Sequence, residues 1–104
     1  MPRQPGGIGT IRSLVKRRDY DWTVKVNQLI EDGWFSQEDL EQCVLTGYVK
    51  KTERDEMKDC VGNKKYTIVG KDSHGYPFYT VGKIKRSEEG KLYYLFITAH
   101  QDRG

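Results

Sequence analysis

Leu40-Glu41-Gln42-Cys43-Val44-Leu45-Thr46-Gly47-Tyr48-Val49-Lys50-Lys51-Thr52-Glu53-Arg54-Asp55 holds the point where the hydrophobic spacing of the chain changes its period. Before Gly47, the residues Leu40, Cys43 and Val44 recur at helical spacing and mark the inner face of a helix. After it, four strand-like segments follow: Tyr48–Asp55, Lys64–Gly70, Pro77–Arg86 and Lys91–His100. Asp59–Asn63 (DCVGN), Lys71–Tyr76 (KDSHGY) and Ser87–Gly90 (SEEG) are the connections, each rich in turn formers. Connections this short favour an antiparallel meander. The predicted fold is therefore α+β, with two or three N-terminal helices packed on one face of an antiparallel sheet of about four strands.

Upstream of the switch the signals are helical. Ser36 and Asp39 form a capping-box pattern at the start of the third helix, and Gly47 suits a left-handed C-terminal position. Trp22, Val26, Leu29 and Ile30 make one apolar stripe, which Asp19 or Asp21 can cap and Gly33 ends. Trp34 and Phe35 read as a packing plug between helices. Ile11, Leu14 and Val15 line a short helix with a cationic end at Lys16, Arg17 and Arg18. Residues 1–9, with their prolines and glycines, read as a flexible tail, residues 10–100 as a single domain and residues 101–104 as a second tail. The expected core comprises Trp22, Val26, Leu29, Ile30, Leu40, Val44, Leu95 and Ile97.

Composition bounds the function. A chain of 104 residues has room for one modest core, and its net charge of +3 steers a polyanion only if the positive charge is gathered on one face. No apolar run is long enough to span a membrane, and the N-terminus lacks an apolar signal core, so a cytoplasmic location is expected. Cys43 and Cys60 lack the paired spacing of zinc sites, and the Gly6–Gly9 run fits no phosphate-loop pattern; neither a metal nor a cofactor is expected.

Lysines, arginines and tyrosines interleave along the strands: Lys64-Lys65-Tyr66, Tyr79, Lys83, Lys85-Arg86 and Tyr93-Tyr94. Basic side chains neutralise phosphates and aromatic rings stack on bases, so the pattern points to RNA or single-stranded nucleic acid. Lysines on strands also serve as solvent-facing guards against edge aggregation. Alternation puts Phe78, Thr80, Gly82 and Ile84 on one face of their strand, with Tyr79, Val81, Lys83 and Lys85 on the other. In the last strand the apolar row Tyr93, Leu95, Ile97 and Ala99 is expected to meet the helices. That leaves Leu92, Tyr94, Phe96, Thr98 and His100 on the open face.

The motifs Val44-Leu45-Thr46-Gly47, Glu53-Arg54-Asp55, Lys65-Tyr66-Thr67-Ile68-Val69-Gly70, Pro77, Lys83-Ile84, Gly90-Lys91-Leu92 and Ile97-Thr98-Ala99-His100 together resemble an uncharacterised (DUF-type) prokaryotic family. Members of that family are small α+β proteins that resemble the MqsR, RelE and BrnT toxins, often encoded beside a zinc-finger, helix-turn-helix protein that looks like an antitoxin. The resemblance covers roughly Ile30 to His100 and carries no catalytic signature of its own. The chain departs from the family in lacking a His–Ala pair near Val24 and an Arg ahead of Phe35-Ser36, and His100 stands where many members end in tyrosine.

The resemblance implies a metal-independent endoribonuclease of a toxin–antitoxin pair. Such a site needs a base, a cation for the crowded phosphate and an acid for the leaving oxygen. The candidates are His100 as base or acid, Lys83 and Lys65 as phosphate-binding cations and Arg54 as a bidentate clamp. Tyr79 or Tyr94 would be the stacking platform, and Lys85 and Arg86 would add RNA contacts. A non-catalytic RNA- or protein-binding module on the same fold is the alternative. The sequence does not specify an oligomeric state.

Overall fold

The computed structural model describes residues 7–57 and 59–102. The elements are α1 (Gly7–Lys16), β1 (Tyr20–Trp22), α2 (Val24–Glu31), α3 (Gln37–Thr46), β2 (Tyr48–Arg54), β3 (Lys64–Lys71), β4 (Pro77–Arg86) and β5 (Leu92–Gln101), with a 3-10 turn at Val61–Asn63. The α+β class predicted from the period change near Gly47 is what forms. The sheet, however, has five strands in the order β1-β5-β4-β3-β2, and β1 pairs with β5 in parallel, where about four antiparallel strands were expected. The additional strand, Tyr-Asp-Trp, is three residues long. That is too short for alternation to register against the helical stripe around it.

Local chemistry accounts for the element ends. The α1 helix begins at Gly7, inside the segment read as a tail, while residues 1–6 lie outside the described residues. It closes in a Schellman motif: Asp19 N–H donates to Leu14 O at 2.8 Å and Arg18 N–H to Val15 O at 3.0 Å, with Arg18 left-handed at φ 63°. Thr23, not Asp19 or Asp21, caps α2. Its Oγ1 accepts from Val26 N–H at 3.4 Å and donates to Ile97 O at 3.0 Å, so one hydroxyl starts the helix and fastens it to β5. Trp22 consequently belongs to β1, ahead of the stripe.

The capping box of α3 forms as predicted, and its Asp39 also accepts from Ser73 N–H (2.9 Å) and Ser73 Oγ (2.6 Å), pinning the β3–β4 turn. Burial opposes ionisation of Asp39, but the bonds from Ser73 and Ser36 outweigh it and hold the carboxyl below its usual range. Gly47 is extended (φ −99°), not left-handed. Glycine is required there for room, because a Cβ would stand 2.4 Å from Val69 O and 2.5 Å from Cys43 O. Arg12 caps the other end of α3, donating to the carbonyls of Val44 at 3.4 Å and Gly47 at 2.5 Å. The Arg12 guanidinium thus serves α3 as a C-terminal cap.

All three helices lie on one face of the sheet. Ile11, Leu14, Val15, Val26, Leu40, Cys43 and Val44 meet Tyr66, Ile68, Phe78, Ile84, Tyr94, Phe96 and Ala99 in one core. Of the expected core, Val26, Leu40 and Val44 are buried, and Trp22, Leu29 and Ile30 pack at its margin.

Leu95 and Ile97 do not join the core, because the predicted facing of β5 is reversed over most of its length. Phe96 pairs with Gly82 but Thr98 pairs with Val81, so Ile97 is an extra residue in a β-bulge. The bulge lets Tyr94, Phe96 and Ala99 all face the helices, while Tyr93, Leu95, Thr98 and His100 face away. Gly82 makes this possible, since a Cβ there would lie 2.5 Å from Cζ of the Tyr94 ring.

Candidate nucleic-acid interface on the open sheet face

The helix-free face divides into two ends of different chemistry. At one end the pairings Tyr48↔Val69, Val69↔Tyr79 and Tyr79↔His100 set four side chains in a single row across β2, β3, β4 and β5. Trp34, from the α2–α3 connection, extends the row past β5: its ring lies 5.6 Å from that of His100, tilted by 65°. Tyr48 is 63% exposed and Trp34 50% exposed, so both side chains are open to solvent. Lys51, opposite Thr67, flanks the row on one side, and Lys71, opposite Pro77, on the other.

The junction of Trp34 and His100 is held by a chain of hydrogen bonds whose direction can be read. Gln101 Nε2 donates to Trp34 O at 2.7 Å, which turns the Gln101 amide oxygen toward His100 Nδ1, 3.1 Å away. A carbonyl only accepts, so Nδ1–H is the donor of this contact.

The other end is cationic but neutralised within the molecule. Lys83, expected as a phosphate-binding cation, is only 6% exposed. The connection between β2 and β3 folds over it. Its Nζ donates to Asp59 Oδ1 at 2.7 Å and Asp55 Oδ2 at 3.1 Å, while Lys85 Nζ donates to Asp59 Oδ2 at 3.3 Å. Burial works against the Lys83 charge, but Asp59 and Asp55 outweigh it and raise its pKa. The bond from Lys83 in turn lowers Asp59 to about 2, with Lys85 assisting.

Cys60 Sγ donates to the same Asp55 oxygen at 3.3 Å. Burial first, and then Asp55, push its thiol up, while burial raises Cys43 to about 12, so neither sulfur is activated as a nucleophile. Donor atoms of Asp55, Asp59 and Cys60 lie within 4.8 Å of one another, but the Lys83 ammonium already meets the two carboxylates.

The predicted site residues therefore do not converge. His100 pairs with Tyr79, four positions along β4 from Lys83. At about 3.3 Å per residue the two stand about 13 Å apart. Arg54 is exposed at the far end of β2, opposite Lys64, and Lys65 faces Glu53 across the same ladder. Arg86 donates to Gly90 O at 3.0 Å within its own turn. Tyr94, expected as a stacking platform, is fully buried in the core because of the Ile97 bulge. Tyr79 and His100 are brought together in the row, as neighbours.

Sequence reasoning missed Tyr48 and Trp34. An aromatic opening a strand just after a helix-ending glycine, and a tryptophan beside the buried Phe35, were the available signals. A separate concavity of about 520 Å³ lies between the α1–β1 and β4–β5 connections. Its rim mixes Arg18 and Lys91 with Asp19, Asp21 and Glu88, so it carries no one-signed field. Among the described residues, no helix is long and apolar enough to cross a membrane. Comparison with known protein families, curated proteins and solved structures finds no match to this chain.

Proposed function

We propose that this protein binds single-stranded RNA on its open sheet face, stacking bases on the row Tyr48–Tyr79–His100–Trp34 without cutting the backbone. The observation that carries the reading is that row: rings drawn from three strands and a loop, in one line, on the face the helices leave uncovered. Stacking on an aromatic side chain is worth about 1–3 kcal/mol per base and tolerates any base. Lys71 supplies positive charge beside the row, and Lys51, on its other side, shares its charge with Glu53 at 3.3 Å, in keeping with the modest net charge of +3.

Cleavage, which the toxin resemblance implies, is less well supported than binding. It needs base, acid and cation around one phosphate, whereas His100 and Lys83 are separated along the sheet and the Lys83 charge is met by Asp55 and Asp59. The test is a titration with a labelled single-stranded RNA, followed by electrophoresis of the same sample. The expected result is binding that weakens between about 50 and 200 mM salt, falls about 10-fold in Tyr79→Ala and leaves the RNA intact. No binding at low salt would refute the proposal. Cleavage products that vanish in His100→Ala would restore the ribonuclease, and with it the expectation of an antitoxin partner.

A further inference from the structure

Resting on that reading, we infer that the bound RNA crosses the β-strands, running from Tyr48 at the β2 edge to Trp34 beyond β5, with about four unpaired nucleotides in contact. The stations lie in one register row, so the path is set by the ladder itself. Three strand-to-strand steps of about 4.8 Å carry it about 14 Å from Tyr48 to His100. Trp34 continues it for another 5.6 Å.

Along the strands the rings give out. The next row holds Lys51, Thr67, Val81 and Thr98, and beyond it the chain of Asp55 and Asp59 covers Lys83. A polyanion following the strands would leave its stacking partners and run into those carboxylates. Crossing the strands leads from ring to ring, with Val69 between Tyr48 and Tyr79, and leaves phosphates between Lys71 on one side and Lys51, whose charge Glu53 shares, on the other.

The tilt of Trp34 against His100 gives the path an end. At 65° the indole plane is steeply inclined to the imidazole, so a base stacked on His100 would meet Trp34 at an angle and not continue onto it. A paired base offers no free face to such a corner, and duplexes are therefore poor ligands.

The experiment measures affinity for oligouridylates of about two, four and eight nucleotides and for a duplex of matching length. Affinity is expected to climb steeply up to about four nucleotides and slowly thereafter. Tyr48→Ala and Trp34→Ala, at opposite ends of the row, should each weaken the four-nucleotide ligand about 10-fold, while Tyr48→Phe and Trp34→Phe retain most of it. Tyr93→Ala and Arg86→Ala, which lie down the strands, should change it little. Unchanged melting temperatures report that the exposed variants fold.

Loss in Tyr93→Ala and Arg86→Ala, with Tyr48→Ala and Trp34→Ala neutral, would overturn the crossing path while leaving RNA binding in place. Failure of the unaltered protein to bind any oligonucleotide would instead overturn the RNA reading itself.

Discussion

Tyr94 has its whole side chain in the core and its hydroxyl without a hydrogen-bond partner among the described residues. Burial pushes the phenol up from its ordinary range. An unpaired buried hydroxyl is a cost, and removing it while keeping the ring leaves the packing on Gly82 and Phe96 intact. Tyr94→Phe is therefore expected to raise stability by about 1 kcal/mol in a urea titration. Gly82→Ala should do the opposite, because its methyl would meet that ring at 2.5 Å, and should lower stability by about 1–3 kcal/mol. The reversed facing of this strand was not legible in the sequence. Tyr93 and Tyr94 are identical in chemistry, Leu95 and Phe96 nearly so in hydrophobicity, and only the bulge at Ile97 decides which of each pair faces inward. Gly82 was the available clue, since a strand glycine signals a close approach.

At the scale of elements, the β2–β3 connection is fastened to β4 by the Lys83 ammonium, shared between Asp55 and Asp59, and by Lys85 on Asp59. The sign of its pH dependence differs at the two extremes. The raised pKa of Lys83 means that its contribution is complete below about 10.4, the unfolded value, and is lost as pH rises through the folded one. Asp59 is lowered, so its contribution is complete above about 3.9 and is lost as pH falls through the folded value, which is about 2. Asp59 is 39% exposed, and solvent screens its share. Lys83→Ala leaves Asp55 buried and uncompensated, and should cost about 3–5 kcal/mol, with the acid-side dependence of Asp59 reduced. Denaturation curves at several pH values measure both effects. The lysine was conspicuous in the sequence, its partners were not. Asp55 and Asp59 sit in a connection whose path over the sheet has no local signature, whereas the Ser36–Asp39 capping box is local and was readable outright.

For the molecule as a whole, the apolar core lies on one sheet face and the exposed ring row on the other, so the proposed RNA binding would use residues outside the core. Core residues point to the helices, while Tyr48, Tyr79, His100 and Trp34 line the opposite face or its edge. Substitutions in the row should weaken RNA binding without moving the denaturation midpoint, and core substitutions should act through the folded fraction alone. The change of period at Gly47 revealed the helix-then-sheet order because it rests on many residues. The parallel strand β1 escaped because it rests on Tyr20, Asp21 and Trp22 alone.

That same short strand governs when the protein can become itself. Tyr20, Asp21 and Trp22 pair with Tyr94, Leu95 and Phe96, so the earliest strand has no partner until the latest one exists. On the ribosome, α1 and β1 emerge with Ile11, Leu14 and Val15 uncovered and wait through the synthesis of every other element. Folding is therefore expected only after β5 clears the exit tunnel. A nascent chain stalled with its last emerged residue at Gly90 should be digested rapidly by protease, while one extended past Gln101 by an unstructured linker should resist. Until the ten residues of β5 have emerged, the apolar faces of the helices lack their cover, and a holdase chaperone is expected to bind the chain stalled at Gly90 and to release the longer one.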